Sequence, residues 1–215
     1  MSTLDGIGAA AAINDPVRRA LFEFISASTL PVSRDAAAAA VGVPRSTVAF
    51  HLDRMAGAGL LDVEYRRPIG VTGPGSGRPS KLYSRASGEF AFSIPKRHYD
   101  HMGDLLAAAI EAAADGRTGV FDALRTVAGD AGRAAGDATG SLDAVLEATG
   151  YEPRSDSGGT VLTNCPFHSL VERHSEVVCA ANHAFLCGAA AASGDDPASV
   201  ILDPAPGLCC VRIAG

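Results

Sequence analysis

Apolar positions in the first sixty residues recur at helical spacing and then give way to a strand-like run. Asn14-Asp15-Pro16 opens a helix with a carboxylate to cap free N–H groups and a proline at the first helical position, and Val17, Leu21, Phe24 and Ile25 follow on one face. Pro31 interrupts the pattern, Ser33 caps a second helix through Ala40, and Gly42 stops it. A third helix is predicted from about Pro44 to Ala58, with Val48, Leu52 and Met55 inward and Gly59 as terminator. Leu60 to Tyr65 then reads as a strand and Lys81 to Ser84 as its returning partner, joined by the Gly- and Pro-rich run RRPIGVTGPGSGRPS. Three short helices with a tight turn before the third, followed by a basic hairpin loop, form a winged helix-turn-helix pattern.

Beyond it the pattern turns Ala-rich. Helices are predicted over His98–Ala114 and Gly119–Ala135, a short capped helix over Ser141–Thr149, a turn at Gly158-Gly159 and a strand over Thr160–Thr163. One or two helices fill Pro166–Ala192, and Val200–Leu202 and Cys209–Ile213 are closing strands around the turn DPAPG. The expected fold class is α+β: a winged helix-turn-helix over residues 1–90, a helical linker or dimerisation region over 91–138, and a small cysteine-containing α+β sensor domain over 139–215.

Charge sharpens this division. Residues 1–83 hold nine Lys or Arg against seven Asp or Glu, whereas the other 132 hold nine against seventeen, so the formal charge of −6 belongs to the second part. No run approaches the ~20 apolar residues of a membrane helix, and the first residues lack the basic start of a secretory signal, so a cytoplasmic protein is expected.

On the third helix the inward face leaves Arg45, Ser46, Thr47, Ala49 and Phe50 pointing outward. Arg45 suits guanine O6 and N7, Ser46 or Thr47 a base edge or phosphate, and Phe50 a thymine methyl, while Arg54 is better placed for phosphate. Arg66, Arg67 and Arg78 in the hairpin would lie along phosphates or in the minor groove. The block VPRSTVAFHLDRMAGAGLLDVEY followed by SGRPSKLYS resembles the winged-helix regulators of the broad ArsR-like group. That resemblance implies a homodimer on a palindromic DNA operator, and it gives His51 a structural place in the helix interface.

All five cysteines, Cys165, Cys179, Cys187, Cys209 and Cys210, fall in the last 51 residues. An odd number with no sign of secretion points away from a disulfide framework and toward metal or redox chemistry. Cys165 follows a predicted strand, Cys179 lies in a helix and Cys209 on or beside a final strand, so three elements can bring thiolates suited to zinc or an iron-sulfur cluster to one point. A fourth ligand is drawn from His168, three residues after Cys165, or from His174, Cys210 or a non-protein group; Cys187 and His183 read as helix packing.

NCPF, a second cysteine about a dozen residues on and a C-terminal G-x-C-x-V-x-I element resemble the SufR-type branch of the group, the iron-sulfur-sensing repressors of cluster-assembly genes. The resemblance implies that Cys165, Cys179 and Cys209 hold a cluster whose assembly or loss alters DNA binding. Asn182 stands where an acidic residue is expected, and the doublet Cys209-Cys210 leaves two thiols for one place. Two rival readings are a structural zinc with an organic effector and a metal-free thiol-redox switch. A Cys165–His168 nucleophile pair lacks both an acidic orienter and an oxyanion-forming glycine element, so an enzyme is not expected.

Overall fold

The computed structural model describes residues 3–66, 79–91 and 93–215, and of residues 3–5 the backbone alone. The chain divides into two compact units, Met1–Phe92 and Ser93–Gly215.

The first unit runs α1 (Thr3–Ile13), α2 (Pro16–Ala27), β1 (Val32–Ser33), α3 (Arg34–Val41), α4 (Arg45–Gly57), β2 (Leu61–Arg66) and β3 (Ser80–Arg85). Helix starts follow the capping residues: the Asp15 carboxylate accepts from the Arg18 N–H at 3.0 Å and the Ser33 hydroxyl from that of Ala36 at 3.1 Å. Gly42, at φ +72°, ends α3 in the left-handed conformation that a side chain would strain. Leu21, Ile25, Val48, Leu52 and Met55 close the core with Tyr83, all essentially inaccessible. The sheet order is β1-β3-β2, antiparallel, with both Val32 and Val63 opposite Tyr83.

Two elements of this unit are additional to the predicted ones. The buried contacts of α1 come from Ala9 and Ala12, residues too small to mark an apolar face in the sequence. β1 has two residues and exists through its pairing with β3. Arg67 and Arg78 lie outside the described residues.

The second unit runs α5 (Tyr99–Ala113), α6 (Val120–Thr139), α7 (Leu142–Ala148), β4 (Pro153–Asp156), β5 (Gly159–Leu162), α8 (His168–Ser193), a 3₁₀ turn (Pro197–Ser199), β6 (Val200–Leu202) and β7 (Val211–Ala214). Its antiparallel sheet has the order β4-β5-β7-β6. The stretch 91–138, read from sequence as a helical linker or dimerisation region, lies within this unit and contributes to its core: Met102, Leu105, Leu124 and Ala128 are buried in one cluster with Val178, Phe185, Leu186 and Val211. The cause is close packing of α6 on α8. A Cβ placed on Gly132 would stand 1.9 Å from the Phe185 carbonyl oxygen, and one on Gly188 would stand 2.1 Å from that of Gly129. Backbone meets backbone here, and only glycine permits it.

β7 starts at Val211 rather than Cys209, so the cysteine doublet lies on the approach to the strand. His174 leaves helical angles (φ −137°, ψ 39°) and divides α8 into two stretches. Among the described residues, no helix is long and apolar enough to cross a membrane. The architecture is α+β: a helix-turn-helix with a small sheet, a helical middle, and a four-stranded antiparallel sheet with its helix.

Candidate functional site

The outer face of α4 carries the first constellation. Arg45, Ser46, Phe50 and Arg54 are exposed, Phe50 to 61%, and Thr47 is half-buried, while Val48, Leu52 and Met55 face the core. An apolar ring left that open in a helix with a complete core is not needed for folding. Arg45 Nε pairs with the Asp35 carboxylate at 2.5 Å, both side chains mostly exposed, and Arg66 pairs with Glu64 at 2.8 Å. Exposed pairs of this kind are worth little and exchange readily for phosphate or base contacts. A cleft of about 400 Å³ between the starts of α3 and α4 and the ends of β2 and β3 is lined by Arg34, Asp35, Arg45, Tyr65, Ser80 and Lys81.

A network that sequence reading passed over fixes α4 to the sheet. Tyr83 Oη donates to Asp53 at 2.7 Å, Arg34 Nη2 reaches the other Asp53 oxygen at 2.7 Å, Arg34 Nε donates to Tyr83 Oη at 3.0 Å, and Lys81 Nζ also bonds Asp53. Partial burial pushes the Asp53 carboxyl upward, but the bonds from Lys81, Tyr83 and Arg34 outweigh it and hold the group below the ordinary carboxylate value. One clue was available: Asp53 sits among outward positions of a helix otherwise suited to an anion, where an acid needs a cationic partner. His51 is half-buried in α4, and its Nδ1 is buried with no hydrogen-bond partner.

The second constellation is built from thiols. Asn164 pins the segment ahead of Cys165: its Nδ2 donates to the carbonyls of Gly150 at 2.6 Å and Lys96 at 3.0 Å, and its Oδ1 accepts from Arg97. The Cys209 N–H donates to Leu162 O at 2.9 Å, which draws the doublet to the end of β5. α8 supplies Cys179. Four of the five thiols thereby lie near one another: Cys165 and Cys210 each neighbour Cys209, and Cys210 also neighbours Cys179.

The acid-base pattern follows from these contacts. Bonds from Cys165 and Cys210, aided by the Val211 N–H and Asn182, outweigh burial and bring Cys209 down to about 3, and the bond from Cys210 lowers Cys179. Donating to Cys209 raises Cys165, with burial adding to it, and Cys210 is raised by donating to Cys179 and Cys209. Proximity of the thiols thus favours ionisation within the group, and a thiolate is the form that ligates metal or attacks an electrophile.

The remaining candidates lie apart. His168 is mostly exposed and faces Glu172 at 3.6 Å. Cys187 Sγ approaches His183 Nε2 at 3.6 Å and donates to Pro197 O, and burial raises its thiol. Among the described residues, no group of three or more His, Cys, Asp or Glu side chains is disposed to hold a metal ion as it stands. Buried Asn182, marked in the sequence only as a departure from a family pattern, donates from Nδ2 to Cys209 Sγ at 3.3 Å.

No curated protein matches this chain, and no solved structure does. A family model described as a helix-turn-helix domain matches residues 13–64, the span from just before α2 through most of β2. Over that stretch the chain is similar to a helix-turn-helix domain, with α4 as its last helix.

Proposed function

We propose that this protein is a sequence-specific transcriptional regulator that binds a palindromic operator as a homodimer and whose DNA binding is controlled at its C-terminal thiols by an iron-sulfur cluster, with zinc as the alternative occupant. The observation that carries the regulatory half is the meeting of Cys165, Cys179, Cys209 and Cys210 from a loop, a helix and a strand approach. Four soft sulfur donors fit an iron-sulfur cluster or a tetrahedral zinc in donor chemistry. Ligation would replace the present S–H to S contacts. Cys165, Cys179 and Cys209 are the proposed ligands, and Cys210 is a better-supported fourth than His168, which points to Glu172 outside the thiol group.

A bound cluster supplies a charge and ligand state that oxygen or iron supply can change. The chain's own part is to join β5, α8 and the approach to β7, whose core also includes α5 and α6, so a change at the sulfurs alters the packing of the whole second unit. Arg45, Ser46, Thr47 and Phe50 on α4 would read bases, while Arg54, Arg66, Arg67 and Arg78 would hold phosphate.

The test is purification without oxygen, followed by iron, sulfide and zinc determination per chain and a gel-shift titration at fixed salt. Cys165→Ser, Cys179→Ser and Cys209→Ser are each expected to lose the bound group, and Cys187→Ser to keep it. Full metal content in all three ligand variants would sink the assignment. Direct thiol contact also favours a second reading, a metal-free switch in which two thiols and hydrogen peroxide give one disulfide and two waters. A wild-type protein free of metal, with DNA binding that responds to peroxide and is restored by reductant, selects it.

A further inference from the structure

Tyr151, Asn182 and Cys209 form a buried polar line inside an otherwise apolar core, with exposures of 0%, 1% and 2%. Tyr151 Oη donates to Asn182 Oδ1, which leaves the amide Nδ2 facing Cys209 Sγ at 3.3 Å. In this orientation the amide oxygen accepts from the phenol and the N–H is offered to sulfur, whereas a flipped amide would set its carbonyl against the sulfur. A core polar group is retained against a desolvation cost only when its bonds are satisfied, and here both ends are. The bond goes to the Cys209 sulfur and not to that of its neighbour Cys210, which lies beside the thiols of Cys179 and Cys209.

We propose that Asn182, oriented by Tyr151, is a positioning residue that holds the Cys209 sulfur and withdraws electron density from it, so that Cys209 rather than Cys210 is the electronically tuned ligand of the bound metal group. The inference rests on the metal-binding reading above. Hydrogen bonds to ligand sulfurs are a principal means by which a protein sets the properties of a thiolate-bound metal. An aspartate at this position would offer no N–H to sulfur in its ionised form, so the asparagine gives this chain a bond that the acidic residue expected there would not.

The experiment uses the reduced, metal-free full chain and cobalt(II) as probe, with affinity read by chelator competition and the thiolate-to-cobalt absorption band read directly. Tyr151→Phe/Asn182→Leu replaces both polar partners by apolar groups of similar shape, a change that leaves folding nearly neutral and is checked by the melting curve of the metal-free protein. Cobalt affinity is expected to fall about tenfold, the size of one charge-assisted hydrogen bond, and the band to move to lower energy as the sulfur becomes more electron-rich. The same shift is expected when the substitutions are made in a Cys210→Ser background. Asn182→Ala, read in the same way, covers a double variant that fails to fold. Unchanged affinity and band position, or a shift that vanishes in the Cys210→Ser background, would overturn the inference alone. A wild-type chain that takes up no cobalt would overturn the metal-binding reading and the inference with it.

Discussion

Arg45 has one partner in the structure and a second in the proposed DNA complex. In the free protein it pairs with Asp35, and both groups are largely in water, so the pair adds little to folding. Arg45→Ala is therefore expected to leave the melting temperature nearly unchanged and to weaken specific DNA binding by about 1 to 3 kcal/mol, the value of a bidentate guanine contact. Asp35→Ala releases the guanidinium and removes an anion from the face, so it should tighten binding to all sequences and steepen the salt dependence. Titrations of both variants against operator and scrambled DNA at two salt concentrations check this. If Arg45→Ala binds operator as wild type does, the guanidinium reads no base.

At the scale of elements, α4, the proposed recognition helix, is held by one carboxylate. Asp53 ties α4 to α3 through Arg34 and to β3 through Lys81 and Tyr83. Its folded value lies below the ordinary one, so the network contributes stability that is fully present above the unfolded carboxylate value, about 3.9, and is lost as pH falls through the lower folded value. The stability difference between wild type and Asp53→Asn should be constant between pH 5 and 8 and shrink below about pH 4. Denaturant titrations across that range measure it, and a difference that grows toward low pH would contradict the network. Tyr83→Phe, which removes one hydroxyl from the centre, is expected to cost about 1 kcal/mol.

The α6–α8 contact gives a sharper contrast. Gly132→Ala forces a Cβ to within 1.9 Å of Phe185 O, a backbone atom that cannot swing away, and should cost about 3 kcal/mol or more. Gly103, on the exposed face of α5, has open space around it, so Gly103→Ala should stabilise by about 0.5 to 1 kcal/mol. Melting curves of the two variants decide, and a Gly132→Ala protein as stable as wild type would mean that the helices can part.

For the whole molecule, the division after Phe92 separates the reading of DNA from the thiols. Each unit has its own apolar core, so calorimetry is expected to resolve two unfolding transitions. Substituting Cys165 or Cys209 should move only the transition of residues 93–215, and a fragment ending near Phe92 should unfold cooperatively by itself. A single transition that shifts as one with Cys209→Ser would show that the two cores unfold together.

What the sequence determined by itself was local. Caps and stops are written where they act: Asp15, Pro16, Ser33 and Gly42 bound α2 and α3 because each interacts with backbone a few residues away, and the inward set Val48, Leu52 and Met55 left Arg45, Ser46 and Phe50 outward by periodicity alone. The cysteines were visible as residues, but not which of them meet. Tertiary structure alone decided that Cys210 joins Cys165, Cys179 and Cys209 while His168 turns to Glu172, because those contacts span a loop, a helix and the approach to a strand. It also seated α6 against α8, through glycines that read in sequence as weak helix formers and in space allow two helix backbones to touch. Asn182 is the plainest case. Its meaning depends on Tyr151, 31 residues before it, and on Cys209, 27 residues after it, and no periodicity along the chain carries a hydrogen bond between elements that only packing brings together.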